Sequence, residues 1–161
     1  MRRLLRPRLT AGLSALVALL AFAAIATANQ TFHTLTAPFS PVDGQPLQSG
    51  WVHDIHMNGN PNSGHEVYHV AGAIPNTTFD VHLLFYAGGT CSGIPAFEGN
   101  TAVLMTTGAG SANGDVKFGP NSHTSTVTTM SAIWQLLPVV NGVAGPPDYA
   151  TPCEVVLIGG K

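Results

Sequence analysis

Charged side chains are scarce: Asp, Glu, Lys and Arg make up 9% of the 161 residues. Four of the six basic residues, Arg2, Arg3, Arg6 and Arg8, crowd the first eight positions. Beyond them stand only Lys117 and Lys161 against eight carboxylates, a net charge of −6 for the chain without that head. This balance excludes nucleic-acid binding driven by phosphate charge and docking on a membrane through a basic surface. Cysteine is almost absent too, with Cys91 and Cys153 alone, so neither a CxxC redox pair nor a cysteine-based zinc site can be built. No His follows Cys91 within ligand reach, which removes a cupredoxin-like copper centre. Outside the N-terminal segment no window has the 3.6-residue apolar period of an amphipathic helix. No G-x-S-x-G elbow occurs, and residue order nominates no Ser-His-Asp set. The run containing Thr124, Ser125, Thr126, Thr128 and Thr129 reads as a strand with its hydroxyls outward.

What is present begins with a long apolar run. Leu9 to Ala28 carries no charge, follows the basic head and closes on Ala26-Thr27-Ala28. A basic head, an apolar middle and an A-x-A end predict a secretory signal peptide over residues 1–28. Cleavage after Ala28 leaves 133 residues, the size of one domain. The alternative is an uncleaved anchor, since 20 uncharged residues just span a bilayer; the Ala-rich run and its A-x-A end favour cleavage. The expected location is secreted or extracytoplasmic, in the cell envelope, with no membrane span after cleavage and with any partner outside the cytoplasm. In an oxidising compartment Cys91 and Cys153 are expected to form one disulfide. Closing a loop across 62 positions stabilises a fold by about 4 kcal/mol in the chain-entropy model.

Residues 29–49 read as a lead-in with a possible first strand, and residues 50–161 as the domain proper. Short β-type runs at about 51–57, 66–74, 79–86, 102–107, 115–118, 123–130, 132–137 and 154–158 alternate with Gly, Pro and Asn breakers such as Asn58–Gly64, Gly108–Gly114 and Asn141–Pro147. Strands at that spacing predict an all-β sandwich or barrel. Loops 58–64, 87–100, 108–114 and 141–150 are then the places for partner contacts.

The clearest local signal is Ala71 to Leu83, where a strand ends at Ile74, turns through Pro75-Asn76 and resumes with Phe79, Val81, Leu83 and Phe85 alternating inward. Ala73, Pro75, Thr77, Phe79 and Val81 resemble the corner of fibronectin type III and related immunoglobulin-like sandwiches, an apolar-x-Pro-x-Thr-x-Tyr-x-Val pattern. The family's Tyr is Phe79 here, so its corner hydroxyl bond cannot form from that position. The resemblance covers about 13 residues and implies an immunoglobulin-like antiparallel sandwich rather than membership of that family. The wider layout is similar to small secreted bacterial β-sandwich proteins.

Several residues invite a chemical reading. His65-Glu66-Val67-Tyr68-His69 matches H-E-x-x-H, whose zinc chemistry needs a helix that sets both His and the Glu on one side. Val67, Tyr68 and Val70 are strand formers, and in a strand Glu66 points away from His65 and His69. The metallohydrolase is therefore the remotest reading. If residues 66–74 and 79–86 pair as a hairpin across Pro75-Asn76, His69 and His82 share a face at roughly 5–8 Å. They form a candidate Zn²⁺ or Cu²⁺ site, with His65 or Asp80 as a further ligand. Ordinary surface polarity is the plainer alternative for these histidines. His53 sides with Trp51, Ile55 and Met57, and is expected buried and hydrogen-bonded; His56 sides with Val52 and Asp54. Asp54 and Glu66 flank Asn58–Gly64, which lacks the clustered carboxylates of a calcium loop and reads as a turn. Asn29-Gln30-Thr31 and Asn76-Thr77-Thr78 are glycosylation sequons. The expectation is an exported, non-catalytic module that binds a partner or supports a structure, with no cofactor; the second reading is a secreted His-based metal binder.

Overall fold

The computed structural model describes residues 32–57, 62–121 and 128–158; the expected signal peptide lies outside these. Eleven strands follow in order: β1 (Phe32–Pro38), β2 (Ser40–Pro41), β3 (Ser49–Met57), β4 (Asn62–Ala71), β5 (Thr78–Ala87), β6 (Phe97–Met105), β7 (Ala112–Asn121), β8 (Thr128–Val140), β9 (Val143–Ala144), β10 (Tyr149–Ala150) and β11 (Glu154–Ile158). No helix occurs among the described residues. One sheet has the order β1-β3-β4-β7; the other runs β2-β10-β8-β5-β6, with β9 and β11 also on β8. Every pairing is antiparallel. The all-β expectation holds, as two sheets packed face to face.

Alternation builds the core. Val52, Tyr68, Val70 and Ala112 point inward from the first sheet and meet Phe79, Val81, Leu104, Trp134, Leu136 and Tyr149 from the second. At roughly 25 cal/mol per Å² of apolar surface removed from water, these residues supply the main drive to fold. Cys91 and Cys153 are joined, with Cα atoms 5.7 Å apart.

Two expectations about strands need correction. The runs on either side of Pro75-Asn76 do not form a hairpin, because β4 pairs with β3 and β7 while β5 pairs with β6 and β8. The chain leaves β4 at Gly72, whose φ of +67° suits a residue without Cβ, and crosses to the opposite sheet. Residues 128–140 form one strand, where a break near Ser131 was expected; the ladder with β5 runs through Ser131 without interruption.

The crossing is a corner, fastened by a tyrosine from elsewhere. Phe79 has no hydroxyl, but Tyr149 Oη accepts the Ile74 N–H at 2.9 Å and donates to the Pro46 carbonyl at 2.9 Å. The Tyr149 ring meets Phe79 edge-on at 5.6 Å between centroids. Thr106 Oγ1 donates to the Ile74 carbonyl at 2.7 Å and accepts the Thr77 N–H at 2.9 Å. Gly110, with φ +74°, lies so close that an added Cβ would stand 2.1 Å from the Ala73 carbonyl oxygen. Only glycine fits there.

Candidate functional site: a cavity with two buried carboxylates

At the opposite end of the sandwich the two sheets leave a cavity of about 350 Å³. Its walls are apolar: Leu83 and Phe85 from β5, Phe97 from β6, Phe118 from β7, Trp134 from β8 and Ile158 from β11. Its polar side comes from the β3–β4 pair, as Asp54, His56 and Glu66, with Ser63 and Gly64 beside them. Asp54 and Glu66 are directly opposite each other in the register. Both are buried, at 1% and 2% exposure. Two like charges facing each other across a strand pair oppose folding, and taking either from water costs several kcal/mol unless it is paired. Packing alone does not select such a pair.

The two carboxylates differ in how they are held. Trp134 Nε1 reaches across from the other sheet and donates to Glu66 Oε1 at 2.9 Å. Tyr68, two residues along β4 on the same face, donates its hydroxyl to Glu66 Oε2 and lies 3.1 Å from Thr101 Oγ1. Even so, burial pushes the Glu66 carboxyl up from 4.5 to about 7; the nearby Asp54 charge adds to the rise, and the Tyr68 and Trp134 bonds hold it back. Burial likewise drives the Tyr68 hydroxyl well above the usual phenol range, reinforced by the Glu66 charge. Tyr68 is therefore a fixed donor.

Asp54 is left short of donors. His56 Nε2 lies 2.5 Å from Asp54 Oδ2, close enough for an ion pair when the imidazole is protonated. The contact lacks hydrogen-bond alignment, and His56 Nε2 and both Asp54 oxygens have no hydrogen-bond partner among the described residues. The distance makes the His56–Asp54 contact electrostatic; Asp54 Oδ1 has not even that. A buried oxygen without a donor is uncommon in folded proteins and marks this position out.

The remaining predicted residues sit elsewhere. Residues 65–69 are extended within β4; Glu66 faces the core while His65 and His69 lie on the outer face, so a helical zinc-protease arrangement is not formed. His65 Nε2 is 3.0 Å from Asp115 Oδ2, and His69 Nδ1 is 2.8 Å from Asn113 Oδ1 while its ring stacks on Trp51 at 5.5 Å. His82 belongs to the other sheet, on the side of β5 opposite buried Val81 and Leu83, where it contacts Asn100 and Glu98 at 2.8 and 3.2 Å. The three histidines proposed for Zn²⁺ or Cu²⁺ are thus split between the two outer faces, because the hairpin that was to unite them does not exist. Among the described residues no three His, Cys, Asp or Glu side chains gather to hold a metal.

The expected burial of His53 is corrected as well, while its expected hydrogen bond is present. His53 is half-buried on the outer face, 2.7 Å from Thr36 Oγ1, whereas Val52 and Asp54 take the core side of β3. Hydrophobicity favours Trp51, Ile55 and Met57 as the inner set; pairing with Tyr68 and Val70 of β4 imposes the other phase. The signal that finds the site was in the strand beyond the turn. Tyr68 and Val70 share the phase of Glu66, and antiparallel pairing draws Asp54 in with them.

No protein-family model matches the chain, and neither curated proteins nor solved structures provide a match.

Proposed function

We propose that the chain is an exported, non-catalytic β-sandwich module that binds a small, mainly apolar molecule between its sheets. The observation that carries this reading is the cavity, which has the size and the few converging polar groups of ligand sites. Export is supported by the basic head, the A-x-A end at Ala26–Ala28 and the disulfide. No helix among the described residues is long and apolar enough to cross a membrane. The immunoglobulin-like character of the sandwich is supported by the Ala73–Val81 corner and by the crossing between sheets that it makes.

The two tryptophans make the reading easy to test. Trp51 lies on the outer face and Trp134 lines the cavity, so Trp51→Phe leaves one emitter at the site. Titration of this variant with 2-phenylethanol, a neutral aromatic probe, is expected to shift Trp134 emission with a saturating profile. A linear, non-saturating response contradicts cavity binding. Terminal sequencing of material collected outside the cytoplasm should start at Asn29; an intact residue 1 contradicts cleavage.

A further inference from the structure

Resting on the cavity reading, we propose that the bound molecule is a small organic cation, an apolar or aromatic amine whose ammonium group lies between Asp54 and Glu66. Its geometry has three parts. Asp54 lines the cavity, and its buried Oδ1 has no donor among the described residues. The Glu66 oxygens accept one bond each, from Trp134 and Tyr68, and a carboxylate oxygen has room for a second. An ammonium group brings three donors and a charge, which suits one orphaned oxygen and two half-used ones.

The formal charge agrees in sign, since the cavity's polar side carries two carboxyl groups and a single imidazole. The walls select an organic body over a bare metal ion, because Phe85, Phe97 and Phe118 offer no oxygen or nitrogen ligands. A carboxylate or phosphate ligand meets like charge there and is rejected.

Below about pH 7 Glu66 holds a proton when no cation is bound, so amine and proton compete. Facing Glu66 are Asp54 and His56 from β3 and Tyr68 from its own strand; β5, β6, β7, β8 and β11 bring no ionisable group to the lining. Amine affinity therefore rises as pH climbs through about 7, while Glu66 loses its proton, and levels off above that.

The test compares 2-phenylethylamine, 2-phenylethanol and phenylacetate on the Trp51→Phe protein, read by Trp134 emission. The expected order is amine first, at least tenfold tighter than the alcohol, with phenylacetate weakest. In Asp54→Asn, made in the same background, the amine's advantage over the alcohol should fall below threefold; Glu66→Gln, which keeps an acceptor for Trp134, provides a second variant should the first not fold. Equal affinity for amine and alcohol overturns the cation assignment while leaving the cavity reading intact. Failure of all three probes overturns both. Saturable binding of Ca²⁺ or Zn²⁺ alone, with no response to the amine, also overturns it in favour of an inorganic cation.

Discussion

The two ends of this sandwich are built to opposite rules. At the corner end the polar groups that enter the core have partners: the Tyr149 hydroxyl and Thr106 both bond the Ile74 backbone beside the buried Phe79 ring. At the cavity end two carboxylates face each other, one imidazole nitrogen lacks an aligned partner, and aromatic side chains line open space. Both ends share strands β4, β5 and β8, so the same scaffold carries a packed half and an unpacked half. The lesson concerns where stability is spent. Buried polar groups that are fully paired hold a fold in one conformation, whereas buried carboxyl groups left partly paired weaken it.

The sharpest way to break this comparison is to make the same deletion at both ends. Phe79→Ala, at a fully buried position, should lower unfolding free energy by about 4 kcal/mol in a denaturant titration. Phe97→Ala, at a cavity wall that is 50% exposed, should cost about 1 kcal/mol. Similar losses at the two sites contradict the division.

The next effect is one of pH. Glu66 titrates near 4.5 when unfolded and near 7 when folded, so the native state holds the extra proton between these values. Its contribution is fully present below pH 4.5, declines as pH rises through about 7, and is flat above. The total loss is about 3 kcal/mol, from 1.36 kcal/mol per unit of difference. Chemical denaturation from pH 4.5 to 8 should trace this fall in the parent protein and a flatter profile in Glu66→Gln.

Tyr149→Phe removes the hydroxyl that joins Ile74 to Pro46, and should cost about 1.5 kcal/mol in the same titration. An unchanged midpoint removes the corner from the account. Smallest of all is Ser131→Ala. Ser131 Oγ is buried without a partner among the described residues, so its loss should leave stability unchanged or raise it by about 0.5 kcal/mol.

The same division explains what the sequence discloses. Alternation along Phe79, Val81 and Leu83, the breakers between strands and the two cysteines define an all-β chain with one disulfide, because at those positions local pattern and tertiary packing agree. β3 reads with the wrong face inward, since Trp51 and Ile55 outweigh Val52, Asp54 and His56 on any scale of hydrophobicity. Partner strands decide its phase, and a carboxylate is buried as a result. The β4–β5 crossing reads as a hairpin from its turn residues alone, for a Pro-Asn turn does not say whether the next strand joins the same sheet. The His69–His82 site fell with that hairpin. The cavity had no local signature: its lining comes from strands that meet only in three dimensions.

The central claim, that Glu66 is buried beside Asp54 against an inter-sheet cavity, is tested most directly by carbon-13 NMR of the glutamate side-chain carboxyls. The chain has three glutamates, Glu66, Glu98 and Glu154, and substitution of Glu66 by Gln assigns its signal. The account predicts a Glu66 midpoint near pH 7 in the native protein that moves downward when 2-phenylethylamine is added. A midpoint near 4.5 without the amine contradicts it.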